Sequence, residues 1–145
     1  EIPRYHDSYT LFSSIVARQP ESMMAKVYLA QEYVDRRRYE EAERLLLQAR
    51  EKHPRDLKIA STLAEIYINL GRPAEAISLL SPLPLAGEEA ESAVINLQVA
   101  YFLTGDFEAG VKLTTEWLAH PDLSANTRTI LLKNIAAAAA AASPQ

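Results

Sequence analysis

Tyr33, Tyr67 and Tyr101 stand 34 residues apart, and this interval constrains the fold more than any other feature of the chain. Other positions keep the same step: Leu29, Leu63 and Leu97; Tyr39, Pro73 and Phe107; Ala42, Ala76 and Gly110. Gly71 and Gly105 recur with them, and Arg37 holds the matching place in the first copy. A sustained period of this length marks helical hairpins stacked side by side, each burying its apolar face against the next. Such a stack presents a long surface for holding another protein and no enclosed reaction chamber.

The copies start at Met23, Leu57 and Glu91, and each reads as helix A, a tight turn and helix B. In helix A of the first copy, Leu29, Ala30 and Tyr33 share a face at i, i+1 and i+4. Leu63, Ala64 and Tyr67 repeat this, and the third copy has Leu97, Gln98 and Tyr101. The small residue lets two helices approach, so Gln98 predicts looser packing. Gly71 and Gly105 suit the left-handed conformation that ends a helix. Helix B opens with Tyr39-Glu40-Glu41-Ala42, Pro73-Ala74-Glu75-Ala76 and Phe107-Glu108-Ala109-Gly110. Proline is tolerated there because the first helical turn has no backbone bond to lose, and the carboxylates face the positive helix end.

Both flanks stay in phase. Pro20 precedes Pro54 by one interval, so Ser8 to Arg18 reads as helix B of a partial preceding repeat, with Leu11, Phe12, Ile15 and Val16 as its apolar face. Leu131, Leu132 and Ile135 continue the spacing as a lone helix A over about Ser124 to Ala142, covering the end of the stack. Its run Ala136 to Ala142 forms helix well but offers little to pack, and it is expected to fray into Ser143-Pro144-Gln145. Pro82 and Pro84 end helix B of the second copy near Ser81 and leave residues 82–88 as a loop, read first as a variation in hairpin length and alternatively as a bend that reshapes the groove. The whole chain reads as one domain: a partial repeat over 1–22, repeats over 23–56, 57–90 and 91–123, and a capping helix and tail over 124–145. Its start at Glu1 instead of Met leads to the expectation of a processed or excised piece of something longer.

Composition excludes several function classes. A net charge of −4 disfavours nucleic acid, which needs clustered cations to neutralise phosphates. The dense basic run Arg36-Arg37-Arg38 falls at the end of a helix A, where cations suit the negative end of the dipole. With no cysteine there is neither disulfide framework nor thiol chemistry, which fits either side of a bacterial membrane. No apolar run is long enough to span a bilayer, and no signal segment is present. His6, His53 and His120 lack partners at metal-ligand spacing, and Glu40, Glu41, Glu43, Glu88, Glu89 and Glu91 read as solvated helix starts. Nothing assembles a nucleophile, a base and an orienting group, so no catalytic residue, metal or cofactor is expected.

The segments "LAQEYVDRRRYEEAERLLLQAREKHP", "LAEIYINLGRPAEAISLL" and "LQVAYFLTGDFEAGVKLTTEWLAHP" resemble the tetratricopeptide repeat. The resemblance implies an all-α, right-handed superhelical solenoid of antiparallel helix pairs, with three repeats plus flanking helices. Lys26 stands where the family prefers bulk, and Gly110 and Thr114 replace its alanine and large residue, weakening copy three; Trp117 supplies compensating bulk.

In that architecture every helix A lines the concave face. The residues turned toward a ligand are then Met24, Val27, Gln31 and Val34, with Asp35 at the rim; Lys58, Ser61, Thr62, Glu65, Ile68 and Asn69; and Ser92, Ile95, Asn96, Val99 and Phe102. Apolar residues at both ends of this strip, with polar ones between, suit an amphipathic helix or an apolar-anchored peptide. Chaperone-binding members carry a carboxylate clamp rich in Lys, Asn and Arg, and the matching positions are Val27, Gln31, Thr62, Ser92 and Asn96. No cation stands among them, which excludes capture of a chaperone tail by charge-assisted bonds.

The segment "YHDSYTLFSSIVARQPESMMAKVYLA" is similar to the junction in multi-span membrane glycosyltransferase-like proteins that carry these repeats after their last membrane helix. Ser8, Thr10, Leu11, Phe12 and Pro20 carry that likeness, which implies an extracytoplasmic accessory tail. The first expectation is a non-catalytic protein-interaction module, bacterial by its alanine content, that binds a protein or peptide and serves assembly or recruitment. The alternatives are that accessory tail and a self-assembling scaffold joined through open repeat ends.

Overall fold

The computed structural model describes residues 7–143, so the readings attached to Glu1, His6, Pro144 and Gln145 fall outside the described residues. Eight helices follow one another: α1 (Ser8–Arg18), α2 (Met23–Asp35), α3 (Tyr39–Lys52), α4 (Leu57–Asn69), α5 (Pro73–Leu80), α6 (Ala90–Leu103), α7 (Phe107–Leu118) and α8 (Ala125–Ala142). Helix A of the copies is α2, α4 and α6, and α8 continues their phase. Each A helix packs on the next, α2 on α4, α4 on α6 and α6 on α8, and α3, α5 and α7 each pack against the A helices on both sides.

One backbone device makes every turn within a copy. Arg37, Gly71 and Gly105 take positive φ angles of 60°, 73° and 83°. The next amide, of Arg38, Arg72 or Asp106, then donates to the carbonyl of Tyr33, Tyr67 or Tyr101 at 2.8, 2.7 and 2.9 Å. The amides of Arg37, Gly71 and Gly105 donate to Val34, Ile68 and Phe102. This paired closure satisfies carbonyls that a helix end leaves open, and it needs a left-handed residue at the same place each time.

Helix starts are also capped. Ser22, Asp56 and Ser124 accept from the third residue onward in α2, α4 and α8, as Asp7 and Asp106 do in α1 and α7. The helices α3 and α5 lack such a cap and open instead on an arginine. Arg38 lies 4.7 Å from the Tyr33 ring centre and pairs with Glu41, while Arg72 lies 4.6 Å from that of Tyr67 and pairs with Glu75 and Glu43. The third copy replaces this arginine by the capping Asp106.

The core is a ribbon of aliphatic and alanine contacts running along the stack. Leu46, Ile59, Leu63, Ile66 and Leu80 are fully buried, and each contributes about 1.5–3 kcal/mol by leaving water. Tyr67 is buried, and Tyr33 and Tyr101 pack half-buried against the same ribbon. A second cluster joins Val94, Leu123 and Leu131 to Trp117, Leu113 and Leu85 and seats α8. Leu83 and Leu85 of the proline loop tuck into this interior, so the loop is fastened at its apolar residues.

Copy three corrects two expectations. Gln98 is fully buried rather than loosely packed: its amide nitrogen donates to Thr114 Oγ1 at 2.6 Å and to the Leu131 carbonyl at 3.0 Å, and its oxygen accepts from Asn134 at 2.8 Å. Gly110 leaves room that the Phe102 ring occupies, since a β-carbon there would sit 2.3 Å from that ring. The departures from the repeat pattern therefore answer one another and fasten α8.

The charged residues also do more than face solvent. Arg36 pairs with Asp7 at 3.4 Å and covers the Tyr9 ring, joining α1 to the turn after α2. Glu91 accepts from the Ser124 amide and hydroxyl at 2.9 and 2.6 Å and from the Thr127 hydroxyl, clasping the start of α8. Glu41, Glu43 and Glu89 are paired, which leaves Glu40 and Glu88 as the exposed helix starts that the pattern implied.

Candidate partner-binding groove

Helices α2, α4 and α6 run side by side, and the spacing of their outward residues opens a groove of about 280 Å³ between them. Val27, Tyr28 and Gln31 come from α2; Lys58, Ser61, Thr62 and Glu65 from α4; Ser92, Ile95 and Asn96 from α6, with Glu89 at its entry. Residues three and four apart on a helix share a face, which is why each helix delivers a row and not a scatter.

The floor is held by hydrogen bonds between helices. Asn96 Nδ2 donates to the Ser61 carbonyl at 3.0 Å and to its hydroxyl at 3.3 Å. The Thr62 hydroxyl turns back to the Lys58 carbonyl at 2.9 Å. At one end Lys58 Nζ pairs with Glu89 at 3.2 Å and sits 5.5 Å from the centre of the Tyr28 ring. Tyr28 is itself stacked on Phe12 of α1 at 5.0 Å. Phe12, part of the segment similar to the membrane-protein junction, thus braces the groove wall.

Glu65 stands apart from these pairs. It is half-buried, and among the described residues neither a hydrogen bond nor an ion pair holds its carboxylate. Burial raises its pKa above the ordinary value, and the charge of Asp35 raises it further. Asp35, at the rim, accepts from Gln31 at 3.3 Å.

The expected strip is only partly assembled in this groove. Val27, Ser61 and Thr62 form its floor but are more than nine-tenths buried, so they offer little area to a ligand. Val34 belongs to the core, and Ile68 packs half-buried against it, because the helices rotate these positions toward their neighbours. Met24 is exposed without lining the groove, and Asn69 is engaged with the Tyr39 hydroxyl at 3.3 Å and the Glu65 carbonyl at 2.8 Å. Tyr28 and Glu89 were missed: their signals are Lys58 one interval minus a turn away and the acidic run before α6.

Val99 and Phe102 lie elsewhere. With Leu103, Phe107, Asn134, Ala137, Ala138 and Ala141 they line a second, apolar recess of about 250 Å³ where α8 meets α6. The alanine run of α8, expected to pack little, supplies one wall of it because small side chains leave a hollow there.

Among the described residues, no group of three or more His, Cys, Asp or Glu is placed to hold a metal. None of the described helices is long and apolar enough to cross a membrane. No curated protein matches the chain. The family model of the tetratricopeptide repeat matches residues 33–100, which span the last turn of α2 through most of α6. The repeated turns, the phased helices and this match together support a tetratricopeptide-repeat protein, with the family's repeats matched over residues 33–100.

Proposed function

We propose that the groove between α2, α4 and α6 receives a polypeptide segment of a partner protein, so that the chain acts as a non-catalytic scaffold for assembly or recruitment. Tetratricopeptide repeats serve in general as protein–protein interaction scaffolds. The observation that carries the finer reading is the convergence of hydrogen-bonding side chains from the A helices of three successive copies on one open groove. Gln31, Lys58, Glu65, Ser92, Ile95 and Asn96 are its accessible wall. The polar wall favours a segment held through its backbone and polar side chains over the apolar-anchored helix that the sequence pattern suggested.

Selection of a displayed library of short random peptides against the chain supplies a ligand for the test. On titration, the side-chain amide signals of Gln31 and Asn96 should shift, while that of Gln48, exposed on α3, stays in place. Shifts confined to Gln48 or to α7 and α8 would overturn the assignment.

A second reading, association between copies, is favoured by the exposed Leu103 and Phe107 that line the α8 recess. It predicts a sedimentation coefficient that rises with concentration and is restored to the monomer value by Leu103→Glu with Phe107→Glu.

A further inference from the structure

We infer, resting on the groove reading above, that the bound segment presents a lysine or arginine whose head group pairs with the Glu65 carboxylate. Charge complementarity carries this. Lys58 and Glu89 neutralise each other at 3.2 Å, which leaves Glu65 and Asp35 as the acidic groups beside Gln31 without a paired cation among the described residues. Of the three arginines after Asp35, Arg36 is taken up by Asp7 and Tyr9 and Arg38 by Glu41 and Tyr33, while Arg37 pairs with neither Asp35 nor Glu65 among the described residues.

A half-buried carboxylate without a partner is costly, and a cation arriving with a ligand removes that cost by a charge-assisted bond. The raised pKa of Glu65 is the consequence of that burial. The expected ligand is therefore the electrostatic opposite of a terminal carboxylate.

The probe is a pool of short random-sequence synthetic peptides with one central lysine, compared with the same pool carrying norleucine there. Norleucine keeps the alkyl stem and removes only the charge. Wild-type chain should retain the lysine pool roughly ten- to a hundredfold more tightly, the equivalent of one buried charge-assisted hydrogen bond. Glu65→Gln, close in shape and checked for unchanged helicity, should lose this preference while still retaining peptide. Ser92→Arg, which fills the groove from an exposed position, should lose both pools.

Equal retention of the two pools by wild type, with Ser92→Arg losing both, would overturn the cation pairing and leave the groove reading standing. Retention of either pool by Ser92→Arg would overturn the groove reading itself. A lysine preference that survives in Glu65→Gln would overturn the role of Glu65, and no retention by wild type would contradict both.

Discussion

Gln98 donates its amide hydrogen to Thr114 Oγ1 at 2.6 Å, and both side chains are fully buried. Each departs from the repeat pattern alone, yet together with the Leu131 carbonyl and Asn134 they form a satisfied polar junction under α8. Buried polar groups of this kind are stabilising only as a complete set.

Gln98→Ala restores the small residue of the other copies but strips the Leu131 carbonyl and Asn134 of their partner. It should destabilise the chain by about 1–3 kcal/mol in urea unfolding, the cost of buried groups left unpaired. Hydrogen exchange should quicken first in α8. A neutral result would mean that the pattern residue is as good as the network.

Gly110→Ala sets two effects against each other. Alanine favours helix by about 1 kcal/mol, but its β-carbon would lie 2.3 Å from the Phe102 ring. Overpacking of this sort costs about 1–3 kcal/mol, so the variant should be no more stable than wild type. On a Phe102→Leu background the same change should turn favourable, a sign reversal that a double-mutant cycle reads directly.

Arg37 holds a positive φ of 60° where the other copies have glycine. Its carbon side chain pays steric strain there, so Arg37→Gly should raise the melting temperature, with a gain of up to about 1 kcal/mol. Unlike its neighbours Arg36 and Arg38, Arg37 sits over no ring and pairs with no carboxylate among the described residues. A loss of stability would show that the arginine makes a contribution beyond the turn.

The hydrogen bonds from Ser124 and Thr127 hold the Glu91 pKa below its ordinary value. A carboxylate depressed in the folded state binds protons more readily when unfolded. Its contribution is therefore present above the unfolded value, about 4.3, and is lost as pH falls through the folded value beneath it. Trp117, the sole tryptophan, packs beside the cluster that seats α8, so its fluorescence should follow this loss. Glu91→Gln should flatten the acid side of that profile; an unchanged profile would remove Glu91 from the clasp.

The hairpins were legible because an interval repeats whatever the partner of each face. Tyr33, Tyr67 and Tyr101 set the phase, and the prolines at 82 and 84 set the break before α6. Periodicity names a helix face but not what covers it. That is why Gln31, Lys58 and Asn96 were found on the groove while Val34 proved to be core, and why Val99 and Phe102 went to the α8 recess. The same limit hid the pairing of Gln98 with Thr114, sixteen residues away on the next helix. Arg38 and Arg72 do recur at the interval, each with its tyrosine and glutamate, so that signal is present in the sequence, although charge pattern alone marks only the run Arg36-Arg37-Arg38.

The most direct measurement is the affinity of a library-selected peptide for wild type, Ser92→Arg and Gln48→Arg. Ser92 is exposed on the groove wall, and Gln48 is exposed on α3 away from it, so both variants add the same charge to accessible positions. Binding in the groove predicts a loss of more than about tenfold for Ser92→Arg, the scale of a disrupted interface position, with Gln48→Arg unchanged. Equal affinity for Ser92→Arg and wild type, or a matching loss in Gln48→Arg, would contradict binding between α2, α4 and α6.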